Sequence, residues 1–245
     1  MGNVLTGRKP VLEALRAGRP MERILVLRGT HGDTIEEIRR MAEQRGIPLV
    51  ESEKQHFRDV APDALTQGII AISPERIAVD LDQLLKKVGE SGETGFILIL
   101  DQIEDPQNLG ALVRTAECAG VHGILLPRHH TAPISTAAVK ASAGATEHMP
   151  IAEVTNIVTA IEQLKNEGYW IVGLASDGEK LYTQSDYTVP VALVVGNEGR
   201  GIRRLVREHC DHLVRIPLFG KVQSLNASVA AALGMFEVVR QREKF

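Results

Sequence analysis

Three polar stretches, each at the end of an apolar run, hold the residues of this chain whose types and spacing could do chemistry. The first is Asp101 to Gly120, DQIEDPQNLGALVRTAECAG, with Asn108 and Arg114. Asn108 lies at the mouth of a helix and Arg114 projects from its second turn. An arginine near a strand end suits a phosphate or a carboxylate, and it equally suits a surface ion pair. The second is Val195 to Ile202, VGNEGRGI, which sets Glu198 among Gly196, Gly199 and Gly201. The third is Val214 to Val238, where VRIP runs into LFGKVQ, then Ser224-Leu225-Asn226, then a small-residue helix. Gln223, Ser224 and Asn226 at a helix mouth, after the permissive Gly220, suit a polar ligand. Taken alone, the same stretch reads as a capped, alanine-rich helix.

Several familiar chemistries fail on spacing. The glycines of the second stretch read G-x-x-G-x-G, not the dinucleotide fingerprint G-x-G-x-x-G, and Glu198 would repel a pyrophosphate. GLASDGEK, from Gly173 to Lys180, half resembles a phosphate-binding loop, but its lysine is one place late and no Ser or Thr follows. Ser224 has no nucleophile elbow around it. His209-Cys210-Asp211-His212 are consecutive and cannot all face one metal ion.

The elements that must position these stretches are strongly alternating. Apolar strands are expected at 96–100, 123–127, 169–175, 191–196 and 212–217, with helices at 108–119, 135–143, 156–167 and 202–209. Near-continuous apolar strands with crossover helices predict a mostly parallel sheet covered on both faces. Ligands of such sheets bind outside the carboxyl ends of the strands, where all three stretches fall.

Residues 1–75 predict a small layered αβα unit. Its helices start near Pro10 and at TIEEIRRMAEQR capped by Asp33, and its strands are 23–27, 47–50 and 68–72. Gly68 in QGIIA marks either a close backbone approach or a plain strand start. Residues 76–94 form the connection, with a short helix expected at 80–88 before GESGETG (89–95) of linker composition, and residues 95–245 form the second domain. At 44% hydrophobic and 24% charged the chain has a globular composition. No apolar run reaches the roughly 18 residues of a bilayer span, and no signal-peptide core opens the chain. Cys118 and Cys210 point to a reducing, cytoplasmic setting without a disulfide framework. A net charge of -3 neither advertises nor excludes nucleic acid, because local patches such as Arg200 to Arg207 matter more than the sum.

In this order the three stretches resemble the three motifs of the SPOUT (SpoU–TrmH) class of RNA 2′-O-ribose methyltransferases. NLGALVRTAE looks like the first motif, VGNEGRGI the second and IPLFGKVQSLNASVAAA the third, over roughly residues 95–245. GRKPVLEAL, QGIIA and SAGATEHMP are similar to segments of the bacterial 23S rRNA guanosine-2′-O-methyltransferases, whose substrate-binding domain residues 1–75 would match. Thr66 departs from that subgroup, where many relatives carry histidine before Gln-Gly.

The resemblance implies a C-terminal parallel sheet with a deep trefoil knot, which no rule of chain topology would predict. It implies S-adenosylmethionine as cofactor, 23S rRNA or alternatively tRNA as substrate, and a homodimer. By motif position the backbones of Gly196, Ile216 and Leu225 would hold the cofactor, with Ser224 and Asn226 beside it. The same resemblance puts Arg114 at the ribose hydroxyl, with Asn108, Glu198, Ser224 and Asn226 arranging the site. A pure RNA-binding protein on this scaffold would be expected to lack Arg114, Glu198 or Asn226, and a nucleotide-dependent oxidoreductase is opposed by the glycine spacing.

Overall fold

The computed structural model describes residues 3–62, 64–74 and 79–243. In chain order the elements are β1 (Asn3–Thr6), α1 (Arg8–Arg16), β2 (Arg23–Leu27), α2 (Asp33–Gln44), β3 (Leu49–Ser52), α3 (Lys54–Val60) and β4 (Ile69–Ser73). There follow α4 (Leu81–Ser91), β5 (Phe96–Asp101), α5 (Pro106–Cys118), β6 (Gly123–Pro127), α6 (Thr136–Ala141) and β7 (Ile151–Val154). The last are α7 (Ile157–Asn166), β8 (Trp170–Leu174), β9 (Lys180–Leu181), β10 (Val191–Gly196), α8 (Arg204–Glu208), β11 (His212–Arg215) and α9 (Ala227–Arg242).

Two sheets result. The first has four strands in the order β1-β4-β2-β3, with β4 antiparallel to both neighbours and β3 parallel to β2. Leu12, Leu15, Ile35 and Ile38 of α1 and α2 pack on one face against Ile24, Val26 and Ile69. Phe57 of α3 packs on the other face against Leu25 and Ile70. The layered αβα reading therefore holds, with β1 and α3 added. Asp33 does not cap α2: the capping position is Gly32, at φ 124°, and Asp33 is the first helical residue. Gly68, at φ +80°, is a close approach, though to a side chain, since a Cβ there would strike Thr30. The boundary expected at 75 and 76 lies outside the described residues.

The second sheet has seven strands in the order β7-β6-β5-β10-β8-β11-β9. Each of its strand pairs is parallel. Strand side chains alternate in direction, so β5 feeds two cores. Phe96, Leu98 and Leu100 join Leu112 and Val113 of α5 and Met235 of α9. Ile97 and Ile99 join Leu84 of α4 and Leu164 of α7. The expected strands are all present, and β7 and β9 extend the two edges. α5 starts earlier than expected because Pro106 fills its first position and the Asp105 side chain accepts from the backbone N–H groups of Gln107 and Asn108. Gly110 lets α5 sit directly on α6, where a Cβ would collide with Ala141 and the Ala138 carbonyl. No helix among the described residues is long and apolar enough to cross a membrane.

The two sheets are joined through α1. Arg19, just past its end, holds Glu147 through Nη1 at 2.8 Å to each carboxylate oxygen, with side chains only 10% and 4% exposed. Glu13 meets His148 Nε2 at 2.9 Å. Val139 of α6 completes the core of the first sheet.

Candidate active site

In the seven-stranded sheet the chain moves from β5 outward to β6 and β7, then returns on the other side to β8 and back inward to β10. The carboxyl ends of β5 and β10 thus diverge into loops on opposite sides, the place where parallel sheets leave a crevice.

The loop after β10 is fixed by two side chains. Asp101, the last residue of β5, is fully buried and accepts from the Arg203 backbone N–H at 2.8 Å and from its Nε at 2.7 Å, with Nη2 at 2.6 Å. Asn197 donates from Nδ2 to the Gln102 carbonyl at 3.1 Å and accepts at Oδ1 from the N–H groups of Gly199 and Arg200. Asn197 and Gly201 also exchange backbone hydrogen bonds. Gly201 turns at φ +68°, and a Cβ on Gly196 would overlap the backbone of Gly201 and Ile202. The glycines therefore serve a tight turn that thrusts Glu198 outward. α8 begins only at Arg204 and has five residues, so no long helix dipole faces the loop.

Glu198 is where the three stretches meet. Its Oε1 accepts from Asn108 Nδ2 at 2.6 Å, from Asn226 Nδ2, and from the Ala227 backbone N–H at 3.4 Å. Asn226 Nδ2 also donates to Asn108 Oδ1 at 2.9 Å. Asn226 Oδ1 meanwhile caps α9, accepting from Ser228 and Val229 N–H. Each side chain fixes the amide orientation of the next, so the ring is mutually consistent. Glu198 Oε2 has no hydrogen bond among the described residues.

Beside the ring is a cavity of about 660 Å³. Gly196, Ile216, Ser224, Leu225 and Glu198 line it, whereas Asn108, Asn226 and Arg114 do not. Its walls also include Leu174, Ser176, Asp177 and Arg207, which the sequence does not assign to the site. GLASDG was discarded as a phosphate loop; what could have found it is its place at the end of β8. Arg207 bridges to Asp177 through two bonds of 2.8 Å, and this pairing holds the Asp177 carboxyl below its usual range. The loop from 217 to 224 is exposed throughout, with Phe219 97% accessible.

Arg114 stands apart. It is exposed on α5 and has no hydrogen bond or ion pair among the described residues. Six residues at 100° each place it well round the helix from Asn108. The four residues 209 to 212 disperse: His209 to the Leu205 carbonyl, Cys210 to the Val206 carbonyl, Asp211 to Lys165, and His212 stacked on Trp170. Burial pushes the Cys210 thiol up to about 12.

Breaking the ring should be measurable without any ligand. Glu198→Ala removes the acceptor of three donors, of which the Asn108 and Asn226 amides reach water, so its cost should be about 1 kcal/mol. That corresponds to roughly 2–4 °C in thermal midpoint for a chain of this size. Faster hydrogen exchange at the Ala227 amide should accompany it. An unchanged midpoint with unchanged exchange would mean that the ring is incidental to the fold.

Comparison with known proteins agrees with this geometry. Residues 95–236 match the SpoU rRNA Methylase family, and residues 4–76 match a family described as RNA 2′-O ribose methyltransferase substrate binding. The putative TrmH family tRNA/rRNA methyltransferase YacO of Bacillus subtilis is 39% identical over 96% of this chain and 94% of its own. A putative TrmH family tRNA/rRNA methyltransferase of Staphylococcus saprophyticus is 40% identical over 98% and 96%. Among solved structures, the SpoU methyltransferase AviRb from Streptomyces viridochromogenes, in complex with AdoMet, superposes with a TM-score of 0.81 at 26% identity. That match covers 98% of this chain and 90% of AviRb. An AdoMet-bound rRNA methyltransferase from Sinorhizobium meliloti gives 0.78 at 25% identity over 99% and 88%.

Proposed function

Because the chain belongs to the SpoU rRNA Methylase family, the SpoU–TrmH group of SPOUT-class RNA methyltransferases, we propose that it methylates the ribose 2′-hydroxyl of a guanosine in 23S rRNA with S-adenosylmethionine as donor. The observation that carries this reading is the convergence of Asn108, Glu198 and Asn226 at the lip of the cavity containing Gly196, Ile216 and Leu225.

The residues present fit the donor. A cavity of about 660 Å³ is within the usual range for small-molecule sites. Leu174, Val195, Ile216, Leu218 and Leu225 offer an apolar wall for a flat base, and Glu198, Gln223 and Ser224 offer polar partners. When bound, the donor supplies a methyl group on a sulfonium sulfur, electrophilic toward oxygen. The protein then aligns a ribose hydroxyl with that methyl group, and alignment alone contributes several kcal/mol, on the order of 7–11 at best. The hydroxyl proton must leave as the bond to carbon forms. A guanidinium does not deprotonate at working pH, so Arg114 stabilises the developing oxyanion and anchors the adjacent phosphate, while the proton passes to water or phosphate.

In this reading residues 1–75 select RNA, residues 76–94 connect the halves while α4 packs on the second sheet, and residues 95–245 carry the chemistry and a C-terminal trefoil knot. The knot is supported by β10 returning between β5 and β8 and by α9 leaving the 216–226 loop to pack over β8 and β10. The active form is a two-fold dimer. It is supported by Val229, Leu233 and Phe236, which at helical spacing expose one apolar face of α9 at 48%, 39% and 49%. A tRNA substrate is the second reading, because the curated relatives' names pair tRNA with rRNA.

The test is to map 2′-O-methyl positions lost from cellular RNA when the protein is absent. A lost guanosine mark in 23S rRNA is expected; a lost tRNA mark selects the second reading, and no lost mark sinks both. Calorimetry should detect S-adenosylmethionine and not NAD, and light scattering should give a dimer mass. A fully active monomer would contradict the dimer.

A further inference from the structure

The geometry points to a phosphodiester-binding cleft in the first sheet unit, formed by the N-terminal turn of α1 and the loops after β2 and before β4, that grips the RNA away from the methylated ribose. This rests on the RNA methyltransferase reading and adds a location and a ligand group to it.

The cleft has a volume of about 610 Å³ and is lined by Arg8, Gly29, Thr30, His31, Gln67 and Gly68. It brings together the two N-terminal segments whose sequences stood out, Gly7-Arg8 and Gln67-Gly68, for which the cavity beside Glu198 has no use. Arg8 is held at its inner side: its backbone N–H donates to Gln67 Oε1 at 3.0 Å and its Nε to the Gln67 carbonyl at 3.2 Å. Both Nη groups then remain without a hydrogen bond or ion pair among the described residues. A side chain with its stem fixed and its charged end free is already ordered for binding, so less rotamer entropy is lost.

Two glycines make the arrangement possible. A Cβ on Gly32 would sit a tight 3.2 Å from Arg8 Nη1, and the turn's φ of +124° is strained for any residue but glycine. A Cβ on Gly68 would strike Thr30, so the loop after β2 can close on the strand only over glycine. The Thr30 hydroxyl, the His31 ring and the Gln67 Nε2 group add donors, none of which has a hydrogen bond to a described residue. No carboxylate of the described residues lines the cleft. Asp33, the nearest acid in sequence, is outside the lining. Fixed donors, a free guanidinium and no acid among the described lining residues select an anion, and a guanidinium fork matches a phosphate. On RNA such a contact positions the chain without reading a base.

The position suits that task. α1 runs from Arg8 at the cleft to Arg16, and Glu13 and Arg19 fasten its far end to His148 and Glu147 of the catalytic half. A phosphate held at Arg8 is therefore held at a set distance from the second sheet.

The experiment uses the full chain and unmodified transcripts of 23S rRNA and of bulk tRNA, with binding measured across salt concentrations. Arg8→Ala should weaken binding of the substrate transcript roughly 10-fold and lower the log–log salt slope by about 0.7–0.9, one phosphate contact. Arg8→Lys should restore the slope and part of the affinity. His31→Glu, at an exposed position bonded to nothing described, should weaken binding by repulsion with an unchanged thermal midpoint, which separates a lost contact from a lost fold. S-adenosylmethionine titration should be unaltered in all three. Wild-type affinity and slope in both Arg8→Ala and His31→Glu, in a protein that still methylates its transcript, would overturn the cleft and leave the function standing. A wild-type protein that binds neither transcript nor donor would overturn the function and the cleft with it.

Discussion

Replacing Arg114 by alanine is expected to lower the single-turnover methylation rate by roughly 100- to 1,000-fold, the usual cost of one oxyanion donor. Donor affinity should stay as it is, because Arg114 is not among the residues lining the cavity. The fold should also be untouched: the side chain is exposed, bonded to nothing described, and substitutions at such positions usually stay within about 0.5 kcal/mol. Arg114→Lys should lose almost as much rate, since an ammonium keeps the charge but not the two-pronged plane. The measurement is rate at saturating donor and RNA, beside donor titration and thermal midpoint. Near-normal turnover in Arg114→Ala would make the residue a bystander. Weak donor binding with normal turnover at saturation would move it into the cavity and reverse its assigned role.

The second large effect lies beneath the site, in the pair of Asp101 and Arg203. The carboxylate is fully buried, whereas the arginine side chain is 43% exposed. The two truncations should therefore differ. Asp101→Ala frees a guanidinium that water can reach. Arg203→Ala takes away the charge that balances a carboxylate water cannot reach and leaves it only the backbone N–H of residue 203, and removing one charged partner of a buried pair costs about 3–5 kcal/mol. Arg203→Ala is thus expected to be the worse variant, with a fall of roughly 6–20 °C in thermal midpoint. It should also loosen the loop that carries Glu198 and weaken donor binding. Denaturation of both variants checks the order. If Asp101→Ala is the more damaging, burial of the carboxylate is not what governs this corner.

Much of this was legible in the chain itself. The parallel sheet was, because β5, β6 and β10 are unbroken apolar runs, and such runs have few other uses in a globular domain. The edge strands β7 and β9 were not, since four and two residues are too few to show a period. Asp33 was misread because an acid before a periodic run usually caps it; here Gly32 takes the capping position and the acid moves one place inward. At the site, residue types were legible and pairings were not. Asn108, Glu198 and Asn226 could be named from their motifs, but bonds across 90, 28 and 118 positions are a property of the folded sheet. Asp101 looked like the first residue of a loop, and only its burial and its bonds to Arg203 show that it anchors a loop about a hundred residues away.

Those long separations bear on how the protein comes to life on the ribosome. The ring takes one member from α5, one from the loop after β10 and one from the cap of α9, the last described helix. No emerging fragment that stops before residue 226 can complete it, however well its first sheet has folded. Contacts of such range close late, since the chain must give up its freedom before they return anything. Competence to hold the methyl donor is then acquired in the final stage of folding. The donor, once held, stabilises the finished chain by mass action in proportion to its concentration. A cell rich in donor would keep its complete copies folded and give no such protection to truncated ones.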